Sequence, residues 1–169
     1  MPSLDVEDIR LMYRYDLWVN QRLLAVVAQL PAERAKEPLG SSFDSIHGTL
    51  GHILGSQIHW LNRWRRLPPT RQLGGGDFDS LDAIRARWHE HQRDLDAFLG
   101  DLTQERLTET IRYTRSSGRV NELPLRQLML HVVNHGTHHR SELADMLTRL
   151  GYPPPPTDLV QYCLEETRQ

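Results

Sequence analysis

Cysteine is almost missing from this chain: Cys163 stands alone in 169 residues, which excludes an internal disulfide framework and any cysteine-built zinc cluster. Long apolar runs are missing too. No stretch approaches the ~18 residues of a membrane span, and the opening MPSLDVEDIR has neither a basic leader region nor an apolar core. A soluble protein of cytoplasmic location, with no membrane partner, is therefore expected. Nor does charge of one sign dominate. With 22 acidic against 20 basic residues and a net charge of −2, a nucleic-acid partner is not expected, and only a local arginine patch stays open. The length fits one domain over residues 1–169, large enough to bury a core without disulfides or an obligatory metal.

Histidine is what the chain does have, nine in all, and four fall in one segment, LRQLMLHVVNHGTHHRSELADMLTRL, from Leu125 to Leu150. Leu128, His135, His139, Met146 and Leu150 share one side of a helix at ~100° per residue, so two imidazoles lie on the stripe that should face the core. Their i, i+4 spacing stacks them one turn apart, the arrangement by which a helix offers two nitrogens to one metal ion. Two buried imidazoles without partners would each cost roughly 1–3 kcal/mol, so ligation competes with bonding to core neighbours. For His131 the expectation is a core residue bonded to a neighbour; for His138, solvent or a partner helix.

Upstream, Ile9, Met12, Val19, Leu23, Val26 and Leu30 predict a first helix over about residues 5–30, capped by Ser3 or Asp5. Asp16 and Asn20 fall where they can point inward, and Asp16 is a candidate partner for a ligating histidine. Residues 31–43 break the pattern. A second helix runs from Ser42–Ser45 to about Arg66, with Ile46, Leu50, Ile53, Leu54, Ile58 and Leu61 on its buried side. His52 beside that stripe is a candidate third ligand, with His47 and His59 as rivals. Leu67–Asp79, bearing PP and GGG, reads as a flexible surface connection that flanks a pocket. Ser80 caps a third helix through Leu81, Ile84, Trp88, Leu95, Phe98 and Leu102, where His89 and His91 sit among charged residues and are expected on a solvated face. Alternation around SSG predicts a short hairpin over Thr110–Leu123; Pro124 suits a first helical position, Gly151 a helix stop, and PPPP an extended tail.

Four segments together, LWVNQRLL, SIHGTLGHILGSQIHWLNRW, HVVNHGTHHR and GYPPPPTDLVQY, in that order and spread over nearly the whole chain, resemble the DinB/YfiT-like superfamily of metal-dependent proteins. The resemblance implies an all-α, up-down-down-up four-helix bundle, usually a homodimer, with a divalent metal held by three histidines. Carried across by residue, these are His52, His135 and His139. Two positions depart from the pattern. Ser141 and Glu142 stand where Gly-Gln is common, and Gln57 where an Asp often follows the helix-two histidine. Glu142, three residues after His139, is a candidate fourth ligand or general base; the plain alternative is a surface Glu paired with Arg140 or Arg149. The family shares its name with an unrelated DNA polymerase, and nothing here resembles a polymerase site.

Three imidazoles leave a divalent ion, zinc or nickel by ligand type, with positions open to a guest. The resemblance suggests a thiol S-transferase acting on a small-molecule substrate with a low-molecular-weight thiol. Two other readings stand beside it: a hydrolase using metal-bound water with Glu142 as base, and a metal-binding or dimerisation module without turnover. Trp18, Trp60 and Tyr152 are candidate pocket walls.

Overall fold

The computed structural model describes residues 5–114 and 117–168, so the alternative cap Ser3 and Ser116 of the hairpin turn lie outside the described residues. Four long helices carry the fold: α1 (Val6–Val27), α2 (Ile46–Trp64), α3 (Leu81–Gly100) and, after a short α4 (Gln104–Thr108), α5 (Leu125–Arg149). A short α6 (Leu159–Glu166) follows the proline run. Side-chain caps start the first four. Asp5 caps α1 in a reciprocal box with Asp8, and Ser45, Ser80 and Thr103 accept backbone N–H bonds at the starts of α2, α3 and α4. Gly151, at φ 86°, follows α5 as the predicted stop.

Contacts between the rods give their directions. The Tyr13 hydroxyl donates to the Met129 carbonyl (3.0 Å) and Arg140 donates to Asn20 (3.2 Å), so α1 and α5 run together. Gln57 reaches Asp16 (2.7 Å) while Trp64 meets the Tyr13 ring (6.3 Å), so α2 runs against α1. Near the end of α2, Trp64 packs on Phe98 of α3 (5.8 Å), and near its start His47 bonds the backbone of Phe78, just before α3, so those two are parallel. The result is the expected up-down-down-up bundle. Its core is the apolar stripe of each helix, including Ile9, Leu23, Ile53, Leu54, Trp64, Ile84, Leu128 and Leu147, all buried.

The hairpin is present as β1 (Thr110–Thr114) paired antiparallel with β2 (Val120–Pro124), Ile111 opposite Leu123. Pro124 closes β2 rather than opening α5. It stands opposite Thr110 with an extended ψ of 141°, an end position where a residue without an N–H removes no ladder bond. The 67–79 connection is not the loose loop expected from its glycines. A Cβ at Gly55 would overlap the Leu73 carbonyl, so the bare helix face there lets the connection lie directly against α2. The tail is likewise held. The Tyr15 hydroxyl donates to the Thr157 carbonyl (2.9 Å), and Trp18 and Arg22 both donate to Glu165 (3.2 and 2.6 Å). Among the described residues, no helix is long and apolar enough to cross a membrane.

Candidate metal centre

His52, midway along α2, and His135 and His139, midway along α5, are brought to one point. Nε2 of His135 lies 3.2 Å from Nε2 of His52 and 3.2 Å from Nε2 of His139, and the three ligand atoms all fall within 4.8 Å of one another. Antiparallel packing is what does it. On α5 the pair is one turn apart, and α2 crosses at the depth where His52 faces that turn. Between neutral rings only one proton fits among the three Nε2 atoms, so at least two of them present lone pairs to the shared point. Lone pairs converging on a common point are the donor set of a three-imidazole metal site, so the residues present fit a divalent ion.

Protonation follows the same logic. Burial, and then the Coulombic effect of His139, lowers the pKa of His52 to about 4; burial, then His139 and His52, lowers that of His135 to about 4 as well. Both rings are neutral near pH 7, the form in which imidazole ligates.

Glu142 is in place but on the far side of a ring. Its Oε2 lies 3.0 Å from Nδ1 of His139, while Oε1 accepts from the Ser42 hydroxyl at 2.5 Å and lies 3.8 Å from Nε2 of exposed His138. In the neutral ring, an Nδ1–H donated to this carboxylate leaves Nε2 as the lone pair that faces the other histidines. Burial would raise the Glu142 carboxyl, but the bonds from Ser42 and His139 and the nearby His138 outweigh it and leave it below the usual range. The surface pairing anticipated for Glu142 is not found: Arg140 is turned inward to Asp16 and Arg149 pairs with Asp145 (3.5 Å).

Two residues that sequence reasoning passed over complete the surroundings. The Phe43 ring stacks on His52, with centroids 3.7 Å apart and planes at 16°, and meets His139 edge-on at 5.3 Å. Ser42 fixes Glu142. Both lie on the turn before α2, where Asp44 takes a left-handed φ of 64°. The only signal for them was SSFDS immediately ahead of the capped helix, since Asp tolerates that conformation better than most residues.

The other candidates go elsewhere. Asp16 does not orient a histidine: it pairs with Arg140, accepts from Asn20 (2.9 Å) and Gln57 (2.7 Å), and all four are buried. Gly136 makes the room, for a Cβ there would stand 2.7 Å from Nη1 of Arg140. His47 is buried at the start of α2, with its ring bonded to the Phe78 backbone, and His59 lies two turns beyond His52. His131 is exposed rather than core, its ring against Trp60 at 5.6 Å. His89 is exposed as expected, but His91 is 2% exposed. It lies on the stripe Trp88, His91, Leu95, Phe98, and its charged sequence neighbours occupy the opposite face of α3. Trp60 does stand near the centre, through His131. Trp18 instead packs on Tyr162 (5.6 Å) of α6.

A family model described as the DinB family matches residues 2–169. Protein DinB of Bacillus subtilis (strain 168) is 27% identical over 157 residues, covering 89% of this chain and 91% of that protein. Among solved structures, a DinB-like protein from Bacillus cereus ATCC 10987 superposes with a TM-score of 0.65 at 15% identity, covering 90% of this chain and 97% of the other, a likeness of fold.

Proposed function

The chain belongs to the DinB family, and from that membership we propose that its 169 residues form a single metal-binding bundle that holds one divalent cation on His52, His135 and His139 and performs a thiol S-transfer. The observation that carries the metal reading is the convergence of three Nε2 atoms, contributed by two helices, within 4.8 Å of one another. Zinc and nickel both suit three imidazoles, and supply decides between them. The bound ion supplies Lewis acidity and open positions, which favour the thiolate form of a small thiol.

The chain's own residues prepare that site. Glu142, held by Ser42, accepts the Nδ1–H of His139 and so directs its Nε2 inward; Phe43 lies flat on His52 and keeps water from that ring face. In the transfer, the thiol sulfur forms a bond to an electrophilic carbon of the substrate, the leaving group departs with its bonding pair, and the thiol proton passes to solvent. Both Glu142 oxygens are already engaged, one by Ser42 and one by His139. The carboxylate also stands at Nδ1 of His139, across the ring from the Nε2 atoms that converge, which favours transfer over a hydrolysis with Glu142 as base. The module reading is weakened by a different observation: the Asp16 and Arg140 cluster already ties α1, α2 and α5 together without a metal. A homodimer in the cytoplasm completes the proposal.

Metal analysis of His52→Ala, His135→Ala and His139→Ala tests the ligand set, with loss of bound metal expected in each and retention in all three rejecting it. A cobalt-substituted protein whose visible spectrum shifts on adding thiols supports the transferase. If thiols leave the spectrum unchanged and no electrophile is turned over, the binding module stands in its place. Sedimentation at several protein concentrations tests the dimer.

A further inference from the structure

Beyond the histidines, the bundle has a cavity of about 580 Å³ at the end of α2, walled by His59, Arg63, Arg66, the Leu67–Thr70 connection and the β1 residues Ile111, Arg112 and Tyr113. A volume of that size suits a small molecule. Among the described residues, three arginines line it and no carboxylate does. Arg66 and Arg112 are partnered from outside the wall, by Glu109 (2.9 Å) and Glu122 (3.7 Å). Arg63 forms no ion pair among the described residues. It donates to the Thr114 carbonyl (2.9 Å), and its guanidinium stacks on Trp60 (4.7 Å) and Tyr113 (5.2 Å). A half-buried guanidinium tied to a carbonyl and set against two rings keeps its remaining N–H groups in a restricted orientation, and the planar fork they form is the geometry that recognises a carboxylate.

This cavity faces the same way as the metal centre. His59 lies seven residues after His52 on α2, two turns and about 10 Å along one helix face. Rings pave the interval: His135 meets His131 (5.9 Å), His131 meets Trp60 (5.6 Å), and Trp60 meets Tyr113 (5.1 Å) under Arg63. Resting on the reading of the three histidines as the reacting centre, we propose that this cleft takes the carboxylate end of an elongated, largely apolar thiol or electrophile whose other end reaches His52, His135 and His139. Leu67, Pro68, Pro69 and Ile111 supply the apolar walls, and Arg63 the anchoring charge.

The test separates the anchor from the metal. The full chain as purified is titrated with octanoate and with octanol, followed by calorimetry and tryptophan fluorescence. Octanoate binds about tenfold or more tightly, and Arg63→Gln removes that preference, as expected for a charge-assisted bond. Equal binding of acid and alcohol overturns the proposal, as does an acid preference that survives Arg63→Gln. Should Arg63→Gln fail to fold, Arg63→Lys keeps the charge but loses the fork and the stacking, and its preference for the acid drops several-fold; an unchanged preference overturns the proposal. In cobalt-loaded protein, mercaptooctanoate saturates the spectral shift at about a tenfold lower concentration than mercaptooctanol. Saturation alike by both overturns the link between cleft and centre. Failure to take up cobalt at all sinks the three-histidine reading instead, and leaves the octanoate result to decide the cleft.

Discussion

His139 and Arg140 are neighbours on α5, yet they end in two polar clusters that obey opposite rules. Arg140 turns into the bundle and meets Asp16, Asn20 and Thr137, and Asp16 in turn accepts from Asn20 and Gln57, so each charge has a partner and the cluster is closed. His139 turns toward His52 and His135, where three ring nitrogens face one another with no opposite charge between them. A buried ion pair with every bond made locks helices together; a set of lone pairs with a common focus invites a ligand. The two lie about 100° apart on the same helix turn, so one turn of α5 carries both, the closed cluster bracing the bundle and the open one facing a ligand.

The sharpest way to break the comparison is Asp16→Ala. Arg140 is then left charged and unpaired in the core, and a stability loss of about 3–5 kcal/mol is expected by chemical denaturation, while the metal content of the protein that remains folded stays at the parent level. If stability barely moves, the cluster is not the brace. His135→Ala should do the reverse: metal affinity, measured by competition with a chromophoric chelator, falls by about a hundredfold or more, and metal-free stability changes by roughly 1–2 kcal/mol or less.

His91 sharpens the contrast from outside both clusters, as a buried imidazole whose Nε2 has no hydrogen-bond partner among the described residues. Burial, then Arg87, lowers its pKa to about 4. As pH falls below the ordinary value near 6.5 the unfolded chain takes up this proton first, so stability present above pH 6.5 is lost progressively toward pH 4. By difference from the parent, His91→Leu should remove about 1–3 kcal/mol of that loss in denaturation curves taken across the range; parallel pH profiles would refute it. The smallest effect is expected for Glu142→Gln, which weakens the hold on His139. Metal affinity falls about tenfold with thermal stability unchanged, and an unaltered affinity would remove Glu142 from the site's support.

Much of the bundle was legible in the chain because local chemistry and burial agree there. Asp5, Ser45 and Ser80 announce the helix starts, and the period of Ile9, Leu23, Leu54, Ile84 and Leu128 marks the inner faces. Where polar residues enter the core, periodicity and composition disagree. His91 was misjudged for that reason, read by its charged neighbours; Asp16 points inward as expected, but the partner it finds there is Arg140 rather than the histidine it was a candidate for. The short α4 and α6 carried too few turns for a periodic signal. In α6 that gap is filled by contacts with α1 rather than by propensity.

His135 and His139 could be paired from spacing alone, because an α-helix fixes the relation between residues i and i+4. Spacing alone left His47 and His59 as rivals to His52, which the family resemblance favoured; the depth at which two rods 83 residues apart in the chain cross is what brings His52 to the pair. The same holds for Phe43 over His52 and Ser42 on Glu142. Short-range order is written into the backbone's hydrogen-bonding period, whereas convergence of distant side chains is decided by how whole apolar faces interlock.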